Sequence, residues 1–286
     1  MKQGLRIGDF ELFWLRGGRF ALDGGGMFGV VPRVLWEKKY PPEPEDRNYV
    51  PVSASPILVR TGDTFALIGS GIGNKLDEKQ RKIFRVKEGW HILEDLRDLG
   101  IAREDIRFVI LTHFDWDHAS GVTMRESGDR IVLTFPRARH IVQREEWEDA
   151  LNPNRRSVNT YWPVNYAALR ENGNLGLADG EKEIIPGLRV VRTGGHTRGH
   201  QIVLIESRGQ KALHLGDLLP VHVQFNPLWI TAFDNYPMDS ISQKEIWLAQ
   251  GVKDGAWFTF YHDPLLRACK FDEKGDVVER WSGGGS

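Results

Sequence analysis

Residues 108–121 read FVILTHFDWDHASG, and no other stretch restricts the chain so strongly. An apolar run of strand type breaks off into a turn that carries His113, Asp115, Asp117 and His118, and the small residues after it suit the start of a helix. Carboxylates gathered on one turn repel one another and lose hydration unless a cation offsets them. Divalent ions accept carboxylate oxygen and neutral imidazole nitrogen alike. The turn therefore reads as a metal-binding loop at the carboxyl end of a strand, where open α/β sheets collect their reactive groups. Three further segments follow the same rule: His196 comes after LRVVRTGG, Asp217 after KALHLG and His262 after WFTFY.

The runs between these loops indicate the class. FELFWLRGGRFALDGG reads as a hairpin turning at Arg16–Gly18, and PILVRTGDTFALIGSG as a second one turning at Gly62–Asp63. EGWHILEDLRDLG places Trp90, Leu93, Leu96 and Leu99 on one helical face, with Gly100 as its stop. RARHIVQ, LRVVRTGG, QIVLIES, KALHLGD and AWFTFYHD read as strands, and REEWEDALN and SQKEIWLAQG as helices. EKKYPPEPEDRNYVP is too rich in proline and charge for a core element and reads as a surface loop. The expectation is an α/β or α+β fold with mixed sheets, one domain over residues 1–281, and a flexible tail at 282–286, SGGGS in its last five residues.

Composition narrows the partners. The 38 basic and 39 acidic residues are interspersed and leave a formal charge of -1, so nothing favours nucleic acid. The N-terminus lacks the apolar core of a signal peptide, and no run approaches the ~20 apolar residues of a membrane span, so a cytoplasmic protein acting on a small molecule is expected. Whether it forms a homodimer stays open. Cys269 is the single cysteine, which leaves histidine and carboxylate as the metal donors and makes Cys269 itself a small buried residue.

THFDWDH resembles the signature loop of the metallo-β-lactamase superfamily, written H-x-H-x-D-H. GGHTRGH, LHLGDLLP and FYHDP resemble its later histidine, bridging-aspartate and final histidine motifs, in the same order. The resemblance implies a four-layer αββα sandwich, two mixed sheets flanked by helices, with a dinuclear site at one edge. It implies that His113, Asp115 and His196 hold one divalent ion, that Asp117, His118 and His262 hold the other, and that Asp217 bridges them. Two positions depart from the pattern: Asp115 stands where the second histidine is usual, and Gly69 stands where an acid commonly follows the early hairpin. Asp115 would make a pair of divalent ions with their bridging hydroxide formally neutral. That gives a harder site in which zinc leads and iron or manganese is tolerated.

Two metals in such a site can activate water and clamp attacking and leaving oxygens. The resemblance lies nearest the small hydrolases that include quorum-quenching lactonases, so the expected reaction opens a lactone or ester with an apolar moiety by attack of a bridging hydroxide. Asp117 is expected to shuttle a proton and the phenol of Tyr161 to steady an oxyanion. Phosphodiester cleavage and iron-based redox chemistry are the alternatives. Met27, Phe28, Trp36, Trp116, Trp162, Phe225 and Trp229 are candidates for an apolar cleft or for ordinary core. His200 reads as packing beneath the site, His214 as a structural sheet residue, His222 as cleft or surface, and His91 and His140 as packing or solvent.

Overall fold

A computed structural model describes residues 3–281 and Gly283, so the expected tail at 282–286 lies, Gly283 apart, outside the described residues. Two seven-stranded mixed sheets form its centre. The first runs in the order Leu5–Ile7, Phe10–Trp14, Ile57–Thr61, Thr64–Ile68, Ile106–Ile110, Arg139–Gln143 and Leu175–Ala178. The second runs Glu181–Ile185, Leu188–Arg192, Gln201–Ser207, Gln210–His214, Trp257–Thr259, Ala268–Phe271 and Val277–Trp281.

Successive side chains of a strand point to opposite faces, and here both faces are apolar. Ile57, Val59, Ala66 and Ile68 of the first sheet meet Val190, Val203, Ile205 and Ala212 of the second in a core between the sheets. The alternate residues face outward. Leu58, Leu67 and Val109 pack with Ile92, Leu96, Trp147 and Leu169 from helical segments, while Ile202, Leu204 and Leu213 pack with Leu248 of the long helix Pro237–Lys253. Helix, sheet, sheet, helix is the layer order. Each fully buried Leu, Ile or Val contributes roughly 1.5–3 kcal/mol relative to an exposed one.

Strand direction determines where the ligand loops emerge. Thr64–Ile68, Ile106–Ile110, Arg139–Gln143 and Leu175–Ala178 are mutually parallel, as are Gln210–His214 and Trp257–Thr259. Leu188–Arg192 is separated from Gln210–His214 by one antiparallel strand and so shares its direction. Four strands thus deliver their carboxyl ends, with His113, His196, Asp217 and His262 just beyond, to one edge of the sandwich.

The turn at Gly62–Asp63 is as expected, with Thr61 paired to Thr64 and Gly62 at φ 53°. The hairpin expected at Arg16–Gly18 does not form. Arg16 N donates to the buried carboxylate of Asp95 at 2.6 Å, and Gly17 lies so close to Ala54, Pro56 and Gly71 that a Cβ would meet Pro56 Cδ at 2.4 Å. The chain therefore leaves the first sheet after Trp14, and Arg19–Asp23 pairs with Tyr49–Ser53 in a separate two-stranded sheet. Tyr49–Ser53 also ends the proline-rich segment as strand rather than loop, and Tyr40 within that segment is buried. The helix expected from Trp90 begins at Ile92 and buries Ile92, Asp95 and Leu96, because Asp95 turns inward to hold Arg16. Cys269 is buried. Among the described residues no helix is long and apolar enough to cross a membrane.

Candidate metal centre

One helical turn, Trp116–Ala119, follows the strand-end loop. Asp115 caps it, and the Asp115 carbonyl accepts from His118 N and Ala119 N at 3.0 Å each. That turn places Asp115 and His118 on the same side as His113. His196 is held by Gly194 and Gly195, at φ 67° and 89°, a conformation a side chain would resist, and by Asn235 N donating to its carbonyl. Asp217 follows Gly216 at φ 56°, where a Cβ would strike His200 and Thr112. His262 is tied to the small sheet: Ser53 N donates to its carbonyl, and its Nδ1 donates to Ser53 O at 2.8 Å.

These loops bring all seven expected ligands together. His113, Asp115 and His196 offer atoms that lie within 4.8 Å of one another, as do Asp117, His118 and His262. Asp115 Oδ2 is 3.4 Å from His113 Nε2 and 3.2 Å from His196 Nε2. Asp117 Oδ2 is 3.7 Å from His262 Nε2. Asp217 stands between the triads: its Oδ2 faces His113 and His196 at 3.8 and 3.6 Å, and its Oδ1 faces His118 and His262 at 3.3 Å each. Ligands of a tetrahedral ion at ~2.0–2.1 Å stand about 3.3 Å apart, close to these separations.

The electrostatics of the bare side chains point the same way. Burial opposes the Asp217 carboxylate, yet His118, His262 and His113 hold it well below the usual range. Burial likewise opposes ionisation of His262, and Asp217 overrides it and lifts the imidazole to about 9. His118, desolvated and beside His113, falls to about 3. Asp117 rises to about 6 through burial and through Asp217 and Asp115, against the pull of His262. Among the seven ligands, His113 Nε2 and Asp217 Oδ1 are buried without a hydrogen-bond partner among the described residues, and the Nε2 atoms of His118 and His262 face each other at 2.9 Å. Buried polar atoms are almost always satisfied. A donor set of four imidazoles and three carboxylates aimed at common points, with unmet lone pairs, fits a pair of divalent cations.

Outer contacts orient the ligands. Nδ1 of His196 donates to Asp234 Oδ1 at 2.8 Å, and Nδ1 of His113 lies 2.9 Å from Thr112 Oγ1. Glu146, fully buried on helix Arg144–Leu151, accepts from Phe114 N at 2.8 Å and Thr197 Oγ1 at 2.6 Å, so one carboxylate braces the loops of His113 and His196. Sequence reasoning missed Asp234 and Glu146. The only signal for Glu146 was an acid on the inner face of a helix that follows a strand. Asp234 carried none, since its partner lies 38 positions away.

Tyr161 is not brought to the cavity wall. It is 2% exposed, and its hydroxyl donates to the same Glu146 Oε1 that receives Phe114 N. The phenol is committed to bracing the loop rather than aimed at a substrate. His200 does pack beneath the site, with Nδ1 2.8 Å from Thr193 Oγ1. His214 Nδ1 lies 3.1 Å from Thr259 Oγ1 within the sheet. His222 pairs with Asp263. His91 is half-exposed beside Glu94, and His140 is buried.

A cavity of about 350 Å³ opens over the cluster. Asp115, Asp117, His196, Asp217 and His262 form its floor, and Leu22, Met27, Phe84, Trp116 and Phe233 supply apolar wall. Met27 and Trp116 were among the candidates for cleft or core, while Leu22, Phe84 and Phe233 were not. Trp116 is stacked on Phe84 at 4.0 Å between centroids, which fixes the wall between two ligands. Phe28 and Trp36 stack on each other in a buried cluster, Trp162 and Trp229 flank it, and Phe225 belongs to the core under the long helix.

Comparison with known proteins agrees with this geometry. Residues 49–250 match the model of the metallo-beta-lactamase superfamily, and the chain belongs to that superfamily. Among curated relatives, an N-acyl homoserine lactonase of a Bacillus species is 31% identical over 153 residues, covering 53% of this chain and 54% of the relative. A probable metallo-hydrolase of Mycobacterium tuberculosis is 29% identical over 189 residues, 56% of this chain and 55% of that protein. The chain spans about half the length of the curated relatives it matches. Among solved structures, a probable metal-dependent hydrolase from Staphylococcus aureus superposes with a TM-score of 0.91 at 40% identity, covering 96% of this chain and 98% of that one. The dizinc quorum-quenching lactonase AidC superposes with a TM-score of 0.79 at 19% identity over 100% and 98% of the chains, a likeness of fold.

Proposed function

We propose that the chain is a metal-dependent hydrolase that opens a lactone or ester carrying an apolar moiety. The observation that carries this reading is Asp217, whose two carboxylate oxygens face two separate triads of donors at the floor of an open cavity. His113, Asp115 and His196 would hold one ion, Asp117, His118 and His262 the other, and Asp217 both. Zinc is the proposed metal, with iron or manganese accommodated by the three carboxylates. Such a pair supplies Lewis acidity and brings the ionisation of water towards neutral pH.

The remaining work falls to the protein. Leu22, Met27, Phe84, Trp116 and Phe233 exclude water from the apolar part of the substrate and orient its carbonyl over the floor. Asp117 combines a place among the ligands with a position on the cavity floor, so its carboxylate can receive a proton during attack and return it to the leaving oxygen. The relatives described as N-acyl homoserine lactonases support a lactone as the substrate class. A panel of acyl lactones, aryl esters and a generic phosphodiester, assayed with zinc-loaded protein, tests the reading. Lactone or ester turnover that falls at least about 100-fold in Asp117→Ala, with the circular dichroism spectrum unchanged, is the expected result, in line with removal of general acid–base catalysis. Turnover of the phosphodiester alone would overturn the substrate assignment, and full activity of the variant would remove Asp117 from the reaction.

A further inference from the structure

The cavity over the cluster carries two positive charges that no carboxylate compensates. Arg155 and Arg156 both line it. Arg156 meets only neutral acceptors: Nε donates to Asn235 Oδ1 at 3.1 Å, and Nη2 donates to the main-chain oxygens of Ala232 at 2.6 Å and Asp234 at 3.3 Å. The Asp234 carboxylate is turned to His196 and Thr231 instead. Arg155 is exposed at the rim and makes no hydrogen bond or ion pair with any described residue. Arginines elsewhere behave differently, since Arg144, Arg192 and Arg198 are each paired, to Asp179, Glu145 and Asp149.

Among the described residues, the acids that line the cavity are Asp115, Asp117 and Asp217, all on its floor. On the functional reading above, all three serve the metal pair and are neutralised by it. What is left for a ligand to meet is an apolar wall, a reactive floor and an unpaired guanidinium fork on the rim. Arg156 is held by its three bonds to the 232–235 segment, so the freely orienting group is Arg155.

We propose that Arg155 forms an anion subsite, and that the preferred substrate is a lactone or ester with a second, anionic oxygen group at the end remote from the scissile carbonyl. A guanidinium presents parallel N–H donors that match a carboxylate or a phosphate in two-pronged fashion. This deepens the hydrolase reading and rests on it. The apolar wall takes the chain between the two polar ends, which gives the site a preference by charge that Trp116 and Phe84 alone would not provide.

Three phenyl esters of equal chain length, ending in methyl, carboxylate or phosphonate, test the subsite with zinc-loaded full-length protein. The wild type should show a KM about 10-fold lower for at least one anionic ester than for the methyl ester, the size expected of a charge-assisted hydrogen bond weakened by exposure. Arg155→Ala should abolish that preference with kcat within about twofold and the methyl ester unaffected, and Arg155→Lys should recover part of it. The anionic ester with the lower KM identifies the group. Absence of any preference in the wild type, or an equal rise for all three esters in Arg155→Ala, would overturn the proposal.

Failure of the hydrolase reading is seen separately, as no turnover of any ester. Binding then decides the subsite: by calorimetry, glutarate should bind more tightly than acetate to the wild type and lose that advantage in Arg155→Ala. An advantage that survives the substitution rejects the subsite.

Discussion

Gly69 and Tyr261 occupy one space: a Cβ built on Gly69 would lie 2.4 Å from Tyr261 Cε2. The Tyr261 ring stacks on His118 with centroids 4.3 Å apart and planes 16° from parallel. Its hydroxyl donates to Asp117 O and accepts from Gly71 N, both at 2.9 Å. Where the superfamily pattern commonly has an acid at position 69, this chain has the open space that a buried phenol needs to support two ligands from behind.

The two residues should therefore be energetically coupled. Gly69→Ala introduces a side chain at φ 73° and drives it into the ring, for an expected cost of about 2–4 kcal/mol from backbone strain and overpacking together. In Gly69→Ala/Tyr261→Ala the collision is gone, and the double variant should be more stable than the sum of the single losses by more than about 1 kcal/mol. Urea unfolding of the four proteins measures the coupling, and additive losses would show that the contact carries no energy.

Asp234 should govern metal affinity rather than stability. Its carboxylate fixes the orientation and tautomer of His196 through Nδ1, and loss of such an outer partner commonly weakens metal binding 10–100-fold. Asp234→Ala is expected to release zinc to a competing chelator at about 10–100-fold lower chelator strength than the wild type. A variant that holds zinc as tightly as the wild type would show that Thr231 and the packing of the loop suffice.

Stoichiometry separates the two triads. His262→Ala removes a donor from only one of them, and metal analysis of the zinc-loaded variant should find close to one ion per chain, held by His113, Asp115, His196 and Asp217. Asp217→Ala removes a donor from both and should weaken both ions together. One ion lost in Asp217→Ala with the other unaffected would mean that the carboxylate does not join the triads.

The ligands were legible because each ligand loop follows an apolar run, and because four such runs leading into histidine or aspartate are hard to explain without a cation. The layer order came from the family resemblance, and the burial of strands such as QIVLIES on both faces is what a sheet covered on both sides requires. Contacts made across the fold were hidden. Gly17 and Gly18 look like a hairpin turn, but what they satisfy is close approach to Ala54, Pro56 and Ile72, and Asp95, which holds Arg16, lies 79 positions away. The expectation that the Tyr161 phenol steadies an oxyanion depended on its loop covering the site, and only the buried Glu146 reveals which way the hydroxyl turns. The free charge on Arg155 was equally invisible, since pairing of Arg144 and Arg198 depends on residues brought in from other loops.

His140 should leave its mark on the acid side of the stability profile. It is fully buried in strand Arg139–Gln143, and desolvation lowers its pKa to about 4 against the pull of the nearby Ala138 and Asn174 backbone, to which neither ring nitrogen makes a well-formed hydrogen bond. An unfolded chain takes up this proton near pH 6.5, so between about pH 6.5 and about pH 4 the unfolded state binds more protons than the folded one. Stability from this group is intact above the unfolded value and declines as pH falls through that window, by about 3 kcal/mol in total at 1.36 kcal/mol per pKa unit. His140→Leu fills the site with an apolar side chain that does not titrate. With chelator present to exclude metal binding, urea unfolding at pH 7, 5.5 and 4.5 should show wild-type stability falling more steeply than that of the variant. Parallel curves across the window would mean that the imidazole gains its proton in the folded chain as readily as in the unfolded one.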